Sequence, residues 1–134
     1  MQTWSIVPKI KEIDEFLRSH PEARKTIRET HPEVCFRALA VNPTIHSKKS
    51  REGFAERLYA LSIYLPKVEK IINNNLSSTK RKDVKRDDIL DSMVAAVTAS
   101  FGNNKVATLP KIPETDSTGL SMEIVYPNMK LVKG

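Results

Sequence analysis

An α/β fold, mostly helical with two or three strands, is what this chain of 134 residues predicts. Three observations carry that expectation. Apolar residues recur at helical spacing in several stretches; "TIRET" reads as a strand closed by the His31-Pro32 step; and a proline-rich tail ends in the strand-like "SMEIVYP". The length suits a single domain over residues 1–134 with one modest core.

In chain order, "SIVPKIKEIDEFLRSHPEARK" carries Ile10, Ile13, Phe16 and Leu17 at helical spacing, predicting a helix over 8–18 with proline in its first turn. A strand over 26–30 and a short helix over 33–40 come next. "VNPTIHSKKSREG" is then a polar loop rich in turn residues and positive charge. Ser50 caps the next helix, because its hydroxyl can accept from exposed backbone N–H groups. Phe54, Leu58, Leu61 and Leu65 give that helix a buried stripe, and Pro66 ends or kinks it before "KVEKIINNNL" resumes helix. Residues 73–86, polar and short of large apolar side chains, predict a flexible loop. After a helix from Asp87 to Phe101, "GNNKVATLPKIPETDSTGLSMEIVYP" predicts an extended arm ending in a strand over 122–126. So few strands leave backbone groups unpaired, and the chain reads as part of a larger sheet domain.

Composition narrows the function classes. The uncharged runs are too short to span a bilayer, and no signal-peptide pattern comes after Met1, so no membrane role is expected. A single cysteine, Cys35, excludes an internal disulfide and suits a cytoplasmic protein; one Cys and three scattered His make no zinc cage. The net charge of +6 favours polyanionic partners. With 6% aromatic residues, a stacking platform for single strands is not indicated. None of the four glycines forms a GxGxxG or GxxxxGK phosphate loop.

The stretch "DDILDSMVAAVTASF" concentrates the chemistry. Leu90, Met93, Val94, Val97 and Phe101 form one face. Ser92, Ala95, Ala96, Ala99 and Ser100 form a small-residue face suited to close approach, so the helix should be buried on most sides. Asp87 and Asp88 suit the N-cap and first turn. Asp91 lies deeper, where backbone donors are already used, and the spacing leaves two readings. It pairs with Lys85 or Arg86, or it joins Asp88 at i and i+3 to hold a divalent cation such as Mg²⁺ or Mn²⁺. The second reading needs a third carboxylate. Glu29, at the end of the expected strand, is the candidate; the alternative for it is a partner of Arg28 or Arg37. Glu33 also reads as a helix-start acid, and His31 as a turn residue. In "SKKSREGFAER", Lys48, Lys49, Arg51 and Arg57 surround a helix start and suit backbone phosphates, or simply solvate a charged loop.

Five blocks in order, "IVPKIKEIDEFLR", "ETHPEVCFRALA", "SKKSREGFAERL", "DDILDSMVAAVTA" and "GLSMEIVYP", resemble domain-of-unknown-function family 429. The resemblance covers nearly the whole chain and implies a partial ribonuclease H-like fold and a predicted metal-dependent nuclease, hydrolysing phosphodiesters of DNA or RNA. It implies Glu29 as the strand-borne ligand of Mg²⁺ or Mn²⁺, with Asp88 and Asp91 as the helix-borne ones. Family members carry a first hairpin with a catalytic Asp ahead of the block that begins here near Trp4. The chain resembles only the portion of the family domain beyond that hairpin. A truncated nuclease, or a catalytically incomplete domain that binds nucleic acid or a partner chain, is the alternative expectation. An unpaired sheet edge would further invite a homo-oligomer or a complementing chain.

Overall fold

The computed structural model describes residues 2–40, 46–80 and 84–132. Among them, α1 (Gln2–Ser19), α2 (Pro32–Leu39), α3 (Arg51–Ser62), α4 (Val68–Ser78) and α5 (Arg86–Ser100) precede β1 (Val106–Thr115), β2 (Ser121–Pro127) and the short α6 (Met129–Val132). The protein is therefore α/β and mostly helical. The chain divides into two compact units: Met1–Glu29 with Thr108–Ile124, and Thr30–Ala107 with Val125–Gly134.

The second unit holds the hydrophobic core. Ile89, Leu90, Met93, Val94 and Val97 bury one side of α5 against Cys35, Phe36 and Leu39 of α2, Ala60 and Leu61 of α3, and Val68 and Ile72 of α4. Thr98, also buried, returns its hydroxyl to the Val94 carbonyl at 2.8 Å, which removes the cost of burying a polar group there. The small-residue face is largely open to solvent. Ser92, Ala96, Ala99 and Ser100 are exposed and Ala95 half-buried, correcting the expectation of a helix enclosed on most sides. Such side chains offer little apolar area, so leaving them in water costs little.

The loop before α3 is set by close approach. Ser50 caps the helix as expected, its Oγ accepting from the Gly53 N–H at 3.0 Å. A Cβ at Gly53 would run into the carbonyl oxygens of Ser47 and His46, so only glycine lets the loop return this closely. Lys67, with φ at 73°, reverses the chain between α3 and α4 in the left-handed region. Helix α4 then runs on through Ser78, so 73–78, expected in a flexible loop, is helical. Val68 and Ile72 bury one face of α4, and Leu76 one turn later packs on the same core. Residues 81–83 of that expected loop lie outside the described residues, as do 41–45 of the earlier one.

In the first unit, α1 extends beyond the expected 8–18. The strand expected over 26–30 does not form a ladder. A 3-10 turn at Ala23–Lys25 takes the N–H groups of Thr26 and Ile27 onto the Ala23 carbonyl (3.0 and 2.8 Å), using donors a strand would need. What survives of it is one parallel bridge, Thr30 to Val125, with the Thr30 hydroxyl donating to the Val125 carbonyl at 2.7 Å. The proline-bearing arm, conversely, is a strand: β1 pairs with β2 in a two-stranded antiparallel sheet. The Asp116 carboxylate closes the hairpin by accepting from the N–H groups of Thr118 and Leu120, each at 2.8 Å, and Gly119 takes a positive φ of 80°. These N–H donors hold the Asp116 carboxyl below the usual carboxylate range.

Candidate functional site

The acidic start of α5 faces a cation supplied by the chain itself. Lys48, from the loop before α3, places Nζ 3.0 Å from Oδ2 of Asp91. The hydrogen bond to Asp91 raises the Lys48 ammonium above its ordinary range, and the charges of Glu33 and Asp87 raise it further. Asp91 is the carboxylate in contact with that ammonium. Asp91 does not pair with Lys85 or Arg86.

Beside this cluster lies a second, more buried pair. Arg57, 4% exposed, directs Nε and Nη2 to the two oxygens of Glu33 at 3.2 and 2.6 Å. Its Nη1 donates to the carbonyls of Gly53 (2.7 Å) and His46 (3.2 Å). This planar fork ties the start of α2 to α3 and to the loop that carries Lys48. Arg57 was expected at nucleic acid; its guanidinium is instead taken up by Glu33 and backbone. Sequence reasoning missed the pair because nothing in the spacing of Glu33 and Arg57 links them.

The other expected ligands are placed differently. Asp88 is exposed and turns back to the Lys85 N–H at 3.1 Å, an N-terminal capping arrangement for α5. Glu29 is exposed and belongs to the first unit, while Asp88 and Asp91 belong to the second. Arg28 pairs with Glu123, not with Glu29. Asp87, Asp91 and Glu33 are hard-oxygen donors of the kind Mg²⁺ and Mn²⁺ take. As arranged, however, Asp91 is held by Lys48 and Glu33 by Arg57, and among the described residues no group of three or more His, Cys, Asp or Glu is disposed to hold a metal ion.

The family described as "Protein of unknown function (DUF429)" matches residues 1–115. The chain belongs to this family. No curated protein and no solved structure matches it. The DUF429 match takes in every expected site residue, from Glu29 to Asp91, and stops at the end of β1.

Charge in this DUF429 chain is unevenly divided. Of the 22 basic residues, fifteen fall in the second unit against eight acids; the first unit carries seven against eight. Three of these cations lie by the start of α3. Lys49 and Arg51 are exposed there, and Arg86, also exposed, lies over the Phe54 ring in the first turn of α3, 4.0 Å from its centroid. Arg86 thereby brings the start of α5 to the start of α3, a convergence that sequence spacing did not reveal. Among the described residues no helix is long and apolar enough to cross a membrane.

Proposed function

We propose that this chain binds nucleic acid through the basic face of its second unit, around the start of α3. The observation that carries the reading is the stacking of Arg86 on Phe54, which adds a fixed guanidinium to Lys49 and Arg51 beside a helix N-terminus. A capped helix start, flanked by cations, suits phosphate oxygens through charge and backbone N–H dipole together. Arg57 acts here as a positioning residue: by clamping Glu33 and the Gly53 and His46 carbonyls, it fixes the loop that presents Lys48 and Lys49. The low aromatic content favours recognition of backbone over stacked bases.

Phosphodiester hydrolysis is the second reading, in the reducing cytoplasm that a lone buried cysteine suits. The family resemblance implies a partial ribonuclease H-like fold with Glu29, Asp88 and Asp91 as ligands of Mg²⁺ or Mn²⁺. One observation favours it: Asp91, at the start of α5, already holds a cation, the Lys48 ammonium at 3.0 Å. For a divalent ion to enter, Lys48 must yield Asp91.

Fluorescence anisotropy with labelled single- and double-stranded DNA and RNA, across a salt series, tests the binding reading. Binding is expected to fall with salt, and Lys49→Ala or Arg51→Ala to reduce the log–log slope by about 0.9 for each phosphate left unneutralised. The same oligonucleotides with Mg²⁺ or Mn²⁺ test hydrolysis; cleavage that disappears in Asp91→Asn supports it. Binding that ignores both salt and these substitutions would refute the binding reading.

A further inference from the structure

Two adjacent lysines before α3 are used differently. The Ser50 N–H and hydroxyl both donate to the Ser47 carbonyl at 2.9 Å, closing a tight turn with Lys48 and Lys49 at its centre. That turn packs on the first turn of α3, where a Cβ at Gly53 would strike the Ser47 carbonyl. Consecutive Cα atoms lie about 3.8 Å apart, so both lysine stems start from nearly the same place. Lys49 is exposed beside Arg51. Lys48 is half-buried, and its Nζ donates to Oδ2 of Asp91 at 3.0 Å.

The Lys48–Asp91 pair is one that a competing anion can open. Its side chains are 35% and 25% exposed, so water reaches both charges, and pairs in that setting are weakly held. Arg57 offers the contrast: deeply buried, it grips both oxygens of Glu33 and two carbonyls, and stays in place. Among the described residues Lys48 is bonded at one point, through a flexible stem. The charges of Glu33 and Asp87 add to the pull of Asp91 and keep the pair closed in the free chain. A phosphate seated at Lys49 and Arg51 competes with Asp91 for the same ammonium. While Asp91 keeps it, the two charges cancel and the phosphate face has one cation fewer.

We propose that Asp91 withholds Lys48 from nucleic acid, and that opening this ion pair adds Lys48 to Lys49, Arg51 and Arg86 as a fourth phosphate ligand. This role rests on the nucleic-acid reading of the second unit and makes Asp91 a restraint on affinity.

Anisotropy titrations of a labelled duplex in EDTA, over a salt series, test it with wild type, Asp91→Asn, Lys48→Met and the double variant. Asp91→Asn is expected to tighten binding about fivefold at low salt and to steepen the log–log slope by about 0.9, one phosphate contact more. With Lys48→Met already present, Asp91→Asn is expected to change affinity less than about twofold, so the cycle shows coupling between the two residues. Circular dichroism establishes that each variant is folded, and Asp91→Ala repeats the cycle should the asparagine variant not be. Wild-type affinity and slope in Asp91→Asn overturn the proposal. So does a fivefold gain that persists without Lys48, which would make Asp91 only a repelling charge. Binding that weakens in Lys49→Ala and Arg51→Ala but ignores Asp91→Asn leaves the nucleic-acid reading standing and removes this one. A duplex that no variant binds removes both.

Discussion

Replacing Arg57 by methionine separates a structural arginine from a phosphate-binding one. The methionine keeps the apolar stem and removes the guanidinium, leaving Glu33 without its fork, the His46 carbonyl without its donor and the Gly53 carbonyl without its second one. Breaking a fully buried ion pair from one side costs about 3–5 kcal/mol. Here the Arg57 side chain is 5% exposed but that of Glu33 is 36% exposed, so the orphaned carboxylate regains water. The Gly53 carbonyl, within the first turn of α3, keeps its helical acceptor role. A loss of about 2–3 kcal/mol results. For a chain of this size each kcal/mol lowers Tm by about 3–5 °C, so thermal unfolding monitored by circular dichroism should show a drop of roughly 6–15 °C. Nucleic-acid affinity measured well below Tm should change far less than in Lys49→Ala. A Tm within about 1 °C of wild type, together with abolished nucleic-acid binding, would falsify the structural assignment of Arg57.

Four further outcomes rest on particular contacts. Lys67→Gly relieves a left-handed lysine and should stabilise the chain by about 1 kcal/mol in urea denaturation. Gly53→Ala, which drives a Cβ into the Ser47 carbonyl, should destabilise by about 3 kcal/mol in the same assay. Because the Lys48 ammonium is raised in the folded chain, its stabilising contribution is fully present below the unfolded lysine pKa and is lost as pH rises through the folded one. Lys48→Met should therefore flatten the alkaline end of the stability profile, and by freeing Asp91 it should tighten Mn²⁺ binding measured calorimetrically. Asp116 runs the other way: its carboxyl is lowered, so its contribution is present above the unfolded carboxylate pKa and lost as pH falls through the folded one, and Asp116→Asn should flatten the acid limb.

Much of the fold was legible because it rests on local physics. Helical spacing placed α3 and α5, and Ser50 declared the cap of α3. The same spacing identified Leu90, Met93, Val94 and Val97 as the buried side of α5. The features that were missed depend on partners distant in sequence. The polar composition of 73–78 argued for a loop, but Val68, Ile72 and Leu76 draw that segment onto the core as helix. Two prolines in β1 argued against a strand, and the Asp116 turn pairs it with β2 regardless. The expected strand over 26–30 lost its donors to the Ala23 carbonyl, an interaction no periodicity announces. Of the candidate site, the acids at the start of α5 and the basic loop were readable; that Lys48 belongs to the acids, and Arg57 to Glu33, was not. Ion pairs between helices are fixed by tertiary geometry, and one sequence carries no signal for them.

The cations around the start of α3 are the heart of the nucleic-acid reading. Anisotropy titrations of one labelled duplex and one labelled single strand with wild type, Lys49→Ala, Arg51→Ala and Arg86→Ala, each at several salt concentrations, address it directly. Binding that weakens steeply with salt is expected, with a shallower slope in each variant. Undiminished binding in all three variants, or no binding at low salt, would contradict it.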